Sequence, residues 1–354
     1  MSDWRKKGII LFLVLLLLFI GTGCRKKNNN DEEEKHADAG VEKTEDIKTV
    51  EQSEIEGVAS PLSGIYAEEE KVNRRPFAVV FDNQPGARPQ AGLIDAEFAY
   101  EFLAEGDITR YLGIFLINEP ENLGPIRSAR PYLVEKSLEF DSHLVHVGGS
   151  NQAIADIENK KVANINSMSR GNDVFWRKGH KKIPHNLYSS YEALKKAAEK
   201  SNYRKEPQFD GFKFNPSFKE MGKGEIANEV KVKYFKSSEA SYIYDDANKI
   251  YKRYYNGTEH KDEITEETLT ATNIIIQQVS AKVIDEQLRL KMDTVGEGKG
   301  TYITGGKAID ITWKKGSYEG ATKYYDETGQ ELILNPGKTW VQVVRNFNGV
   351  TIEE

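Results

Sequence analysis

Cys24 is the only cysteine among 354 residues. No intramolecular disulfide can form, so any fold this chain adopts is held by burial and hydrogen bonding alone. An odd cysteine also needs a reason to be where it is, and its surroundings supply one. Arg5, Lys6 and Lys7 form a basic patch, Ile9 to Ile20 is unbroken apolar sequence, and Gly21-Thr22-Gly23 leads into Cys24 before the chain turns hydrophilic at Arg25. Basic patch, apolar core and small residues are the parts of a secretory signal. The apolar run is about a dozen residues, short of the roughly 20 that span a bilayer. Small residues ahead of a cysteine resemble a bacterial lipobox, with Gly21 where a large aliphatic is usual. The reading is a signal peptide over 1–23, and a Cys24 that is lipidated and holds the protein at the extracytoplasmic face of the cell membrane. Each buried acyl CH₂ contributes about 0.8 kcal/mol, so a multiply acylated cysteine anchors firmly.

From Arg25 to about Ser60 the chain carries Asn28 to Asn30, Asp31 to Glu34 and scattered Lys and Glu, with almost no large apolar residue. Such a stretch cannot bury enough surface to offset the entropy of ordering. Residues 24–60 therefore read as the lipidated cysteine and a disordered tether, about 30–35 Å in r.m.s. reach. Roughly 290 residues follow, enough for two domains and large enough to be stable without staples. With 49 Lys+Arg against 55 Asp+Glu, net charge −6, the balance argues against nucleic acid as a partner.

Residues 61–208 read as an α/β or α+β domain. Phe77 to Phe81 is a buried strand; 96–103 and 108–117 flank Glu105-Gly106-Asp107 as a hairpin. A helix starting at Asn122 or Ser128 runs through Tyr132 to Leu138, and Leu144 to Val147 is a strand. Ser150 caps a helix over QAIADIE, and Ser189 with Glu192 forms a capping box for YEALKKAAEK. Residues 209–354 change character. Val230, Val232 and Tyr234 alternate with polar residues, and Tyr242/Tyr244 and Tyr251 bracket a turn at Asp245 to Asn248. Ile274 to Val279 is a strand. Turns are then expected at Gly298 to Gly300, Gly305-Gly306, Asp326 to Gly329 and Pro336-Gly337, which predicts a mostly antiparallel β meander.

Polar residues crowd into segments of the first domain that otherwise read as core. The strings are NRRP (73–76), Asp82-Asn83, ARPQ-x-GL (87–93), EG-x-x-TR (105–110), GPIRSAR (124–130), HVGG (146–149) and PHN-x-Y (184–188). They resemble the signature segments of the YerB-like lipoproteins of low-GC Gram-positive bacteria, a family known by N- and C-terminal halves of unknown function. The resemblance covers nearly everything from about Pro61 onward. It implies a cell-envelope lipoprotein and brings no catalytic residue set with it.

The residues themselves suggest three chemistries. Arg88, Arg110, Arg127 and Arg130, with a Gly-Gly turn before a helix, suit a carboxylate or phosphate; Asp82, His146, His185 and Asn186 complete the candidate ligand-binding set. The alternative is that these arginines pair internally with Asp82, Glu101, Glu105 and Asp107. Glu101 and Glu105 are candidate catalytic acids on a wall glycan, although on one strand they would stand about 13 Å apart, beyond the roughly 5–10 Å of glycosidases. His146 and His185 are candidate acid/base groups, with His180 or His143 as a conceivable third ligand, but no zinc-type spacing is present, so no metal and no cofactor is expected. Ser128 and Ser150 lack a G-x-S-x-G elbow. The favoured function is binding of peptidoglycan, another anionic envelope polymer or an envelope protein; the alternative is a glycan-cleaving enzyme, a hydrolase or lytic transglycosylase. An importer receptor, which pairs two similar lobes, fits the two unlike halves poorly.

Overall fold

The computed structural model describes residues 57–354; the apolar segment, Cys24 and the charged stretch to residue 56 lie outside the described residues. The expected tether extended to Ser60, but residues 58–60 belong to the fold. Val58–Ala59 pairs with Tyr66–Ala67, and the buried Ser60 hydroxyl donates to Glu97 at 2.5 Å.

The first half begins on β1 (Phe77–Asp82), with all six residues buried. It continues through β2 (Phe98–Leu103), β3 (Thr109–Phe115), α1 (Pro131–Glu139), β4 (His143–His146), α2 (Asn151–Asn159), β5 (Asn164–Asn166) and α3 (Tyr191–Lys200). β2 and β3 form the expected hairpin. Ser150 caps α2 by accepting the Ala153 N–H at 3.3 Å. Two helix starts differ from expectation. α1 opens at Pro131, whose missing N–H costs nothing at a first helical position, so neither Asn122 nor Ser128 begins it. Ser190, not Ser189, caps α3 by accepting from the Ala193 N–H, while Ser189 is buried and donates to the Val174 carbonyl.

The second half contains β6 (Glu229–Phe235), β7 (Ser238–Asp245), β8 (Ile250–Tyr255), β9 (Asn273–Gln278), β10 (Ala281–Val283), β11 (Leu290–Met292), β12 (Gly296–Thr304), β13 (Lys307–Lys315), β14 (Lys323–Tyr325), β15 (Thr339–Val344) and β16 (Val350–Glu353). Gly298 and Gly300 lie inside β12 rather than in a turn. A Cβ on Gly298 would stand 2.6 Å from Trp313 Nε1, and one on Gly300 would stand 2.7 Å from the Ile276 carbonyl oxygen. These glycines permit close packing within a strand.

The two halves share one eleven-stranded sheet, in the order Glu225–Ile226, β13, β12, β9, β15, β2, β3, β1, β4, β5, with β14 beside β13. β15 is the seam, parallel to β9 on one side and to β2 on the other, so the second half is not a simple antiparallel meander. Alternation along the strands then builds two cores. Ala78, Val80, Phe98, Phe102 and Leu112 pack with Tyr132, Leu133 and Ala153 on the helix side. Phe81, Ala99, Tyr111 and Trp340 pack with Val230, Val232, Tyr242 and Tyr251 of a second, antiparallel sheet formed by β8, β7, β6 and β16 with short flanking strands.

Candidate anion-binding site

The segment GPIRSAR runs between the carboxyl ends of β1 and β4. The Asp82 N–H donates to the Pro125 carbonyl at 2.9 Å and the Arg127 N–H to the Val80 carbonyl at 2.8 Å. The Val147 N–H donates to the Arg127 carbonyl at 3.1 Å and the Ala129 N–H to the Gly148 carbonyl at 3.0 Å. Carboxyl ends of strands are where open α/β sheets carry ligands, and this strip sets Arg127 and Arg130 there.

Two groups form along it. In the first, the buried Asp82 holds His185 Nδ1 at 2.7 Å and Arg127 Nε at 3.3 Å through one oxygen. Its other oxygen accepts the Gln84 N–H. Gly86 lies against the imidazole, since a Cβ there would sit 3.2 Å from His185 Cδ2. In the second group, Arg110 and Arg130 converge on Glu105. Arg130 donates at 2.5 Å to one oxygen and at 2.9 Å to the other, and Arg110 pairs with Glu105 as well. Arg110 also donates to the Ser128 carbonyl at 3.2 Å, which ties the strip to β3. Burial alone would raise the Glu105 carboxyl, but the two arginines outweigh it and hold the group below the usual carboxylate range. Burial, then Arg130, and at longer range Arg127 lower the proton affinity of Arg110. Positive charge is therefore in surplus here.

Other candidates lie elsewhere. Glu101 is 0 % exposed and sits between the sheets, receiving Arg253 at 2.5 Å and the Thr109 hydroxyl at 2.7 Å. Arg253 in turn contacts His260, whose Nε2 is 2.8 Å from Gln90 Oε1. Burial pushes the Glu101 carboxyl up, against the pull of Arg253. Arg88 stacks on Tyr255 at 4.2 Å in the same interior. His146 is buried, with Nδ1 2.7 Å from the Gly148 carbonyl and Nε2 3.3 Å from Asn164 Oδ1; burial lowers its pKa despite these bonds, which keeps it neutral. Asn186 braces its own loop by donating to the Lys178 and Lys181 carbonyls. Glu101 thus has no route to a substrate. Glu105 reaches the opposite face of the sheet from it, which rules out their working as an acid/base pair.

Next to the second group opens a cleft of about 640 Å³, lined by α1, the start of α2 and the segment 284–295. A smaller recess of about 220 Å³, lined by Glu105, Ser128, Arg130, Ser150 and Arg289, shares Arg130, Ser150 and Arg289 with it.

Residues 62–204 match the N-terminal domain, and residues 230–341 the C-terminal domain, of a protein of unknown function, DUF3048. The chain is 36% identical over 301 residues to YerB of Bacillus subtilis (strain 168), named as a lipoprotein, covering 83% of this chain and 88% of that one. This chain belongs to the DUF3048 family. The crystal structure of the Bacillus subtilis YerB protein superposes with a TM-score of 0.77 at 34% identity, over 84% of this chain and 100% of that one.

In this DUF3048 protein two arginines of the second half escaped sequence reading. Arg253 had a usable signal. It shares the inward period with Tyr251 and Tyr255 in β8 while Lys252 faces out, and a charge at an inward position of a strand calls for a buried partner. Arg289 lies in the turn between β10 and β11, where no local pattern marks it.

Proposed function

We propose that this protein is an envelope lipoprotein, tethered through Cys24 on the extracytoplasmic face of the membrane, whose arginine strip binds an anionic group of peptidoglycan or another envelope polymer. The observation that supports it is the sharing of Glu105 by Arg110 and Arg130 at a half-open rim. Arg110 is buried beneath Arg130; two cations on one carboxylate leave positive charge for a second anion at Arg130, and Arg127 and Arg289 flank it. Family membership beside a relative named as a lipoprotein supports the anchor.

The test is co-sedimentation of the full-length protein with purified sacculi, with and without attached teichoic acid. Binding is expected to weaken about tenfold with Arg130→Ala and to fall with added salt; sedimentation indifferent to both rejects the reading. The supernatant of the same assay addresses the enzymatic alternative. A general acid must carry a proton, whereas Glu105 is held ionised and Glu101 is sealed. Release of soluble wall fragments, abolished by Glu105→Gln, would reverse that conclusion.

A further inference from the structure

The cleft beside the strip is walled by apolar side chains, among them Tyr132, Leu290 and Met292. Two further features bear on what it holds.

The first is an open strand edge. Among the described residues β11 pairs with β10 alone. The Asp293 N–H donates to the Ser280 carbonyl and the Ile284 N–H to the Arg289 carbonyl, both at 2.9 Å, so residues 289, 291 and 293 make the bonds inside the hairpin. In an antiparallel pair the alternate residues turn their N–H and C=O groups the other way; here those residues are Leu290 and Met292. Residues 289–295 line the cleft without a break, as the edge of an extended strand does.

The second is charge. Arg130 and Arg289 stand where cleft and recess meet. Asp285 takes Arg289 Nε at 2.5 Å, and no other acid pairs with Arg289 among the described residues.

We propose that this cleft receives an extended peptide bearing a free carboxylate. Its backbone adds to the open edge of β11 in the manner of β-strand addition. An apolar side chain fills the space against Tyr132 and Met292, and the carboxylate meets Arg130 and Arg289. An acyl chain would suit the apolar wall but leave the backbone edge unmet. At about 3.3 Å per residue, five or six residues of peptide span the segment from Leu290 to Val295. This deepens the envelope-binding reading and rests on it, since Arg130 serves both.

The test uses full-length protein in lipid nanodiscs and the fluorescein-labelled peptide Ala-Leu-Ala-Leu-Ala with a free C-terminal carboxylate, followed by anisotropy. Binding is expected to weaken about tenfold for the C-terminal amide and about tenfold for Arg289→Ala, and to be lost when alternate peptide nitrogens are methylated. Met292→Pro removes an outward N–H while sparing the β10 pairing and should act like methylation; the methylated peptide keeps the question decidable if that variant misfolds. Equal binding of the acid, amide and methylated peptides overturns the proposal. Displacement by hexanoate at matching concentration overturns it in favour of an acyl cavity. If the peptide fails while sedimentation with sacculi still depends on Arg130, the peptide is wrong and the anionic strip stands. If the peptide obeys Arg289 while sacculi ignore Arg130, the cleft stands and the polymer reading falls.

Discussion

Glu101 and Glu105 are four residues apart, each is bound to arginine, and they have opposite consequences. Glu101 lies in β2, faces the second sheet, and is sealed with Arg253, both side chains 0% exposed. Glu105 lies past the strand end, swings to the helix side, and meets Arg110 and Arg130 with 24% of its own side chain open. The same pair of residue types makes a structural clamp where water is excluded from both partners, and the proposed binding surface where the carboxylate is shared and about a quarter open. Depth and stoichiometry, not residue type, separate the two.

The sharpest way to break this comparison is Arg253→Met. It strands a buried carboxylate and removes the contact to His260, and is expected to cost about 3–5 kcal/mol in denaturant unfolding. The double variant Glu101→Leu/Arg253→Met should recover part of that loss, because no charge is then left unpaired. A loss under about 1 kcal/mol for the single variant would mean that the interior pair is no clamp.

A second, smaller effect follows from buried histidine. His143 stacks between Phe77 and Tyr203, and burial, helped by Arg75 and Arg204, lowers its pKa to about 3. The unfolded chain takes up a proton near pH 6.5 that the folded chain refuses until about pH 3. Stability is therefore complete above that window and declines as pH falls through it. His143→Phe keeps the stacking and should stabilise the protein by about 1–3 kcal/mol at pH 4.5, with little change at pH 8. An unchanged acid limb in thermal melts would refute the assignment.

The smallest effect on stability is expected at the wet end. Glu105→Gln keeps an acceptor for the arginines and should cost about 1–2 kcal/mol, since Arg110 is left buried without its counter-charge, while tightening capture of sacculi several-fold by freeing Arg130 from its internal anion. Because the Glu105 pKa is depressed, its contribution is present above the ordinary carboxylate range and fades as pH falls through its folded value. A large destabilisation would place Glu105 with Glu101 as scaffold.

Much of the fold was legible because it is written in neighbouring residues. FAVVF is apolar on both faces and is covered on both. EGD turns a hairpin, and Ser150 caps the helix after Gly148-Gly149. What failed was non-local. β15 resembles any other short apolar strand, and nothing beside it says that it runs parallel between β9 and β2 rather than closing a meander. Gly298 and Gly300 look like turn residues until Trp313 and Ile276 are seen against them. The site divides in the same way. The strip GPIRSAR stands out as polarity in a buried context. Asp82 meets His185 across 103 residues and Glu101 meets Arg253 across 152, and sequence spacing carries no trace of either meeting.

The position of β15 has a further consequence. This central strand of the eleven-stranded sheet comes from far along the chain, so β2 has a bare hydrogen-bonding edge until residues 339–344 pair with it. Neither half can satisfy its backbone without the other, and a chain truncated before Thr339 would leave an exposed, aggregation-prone edge.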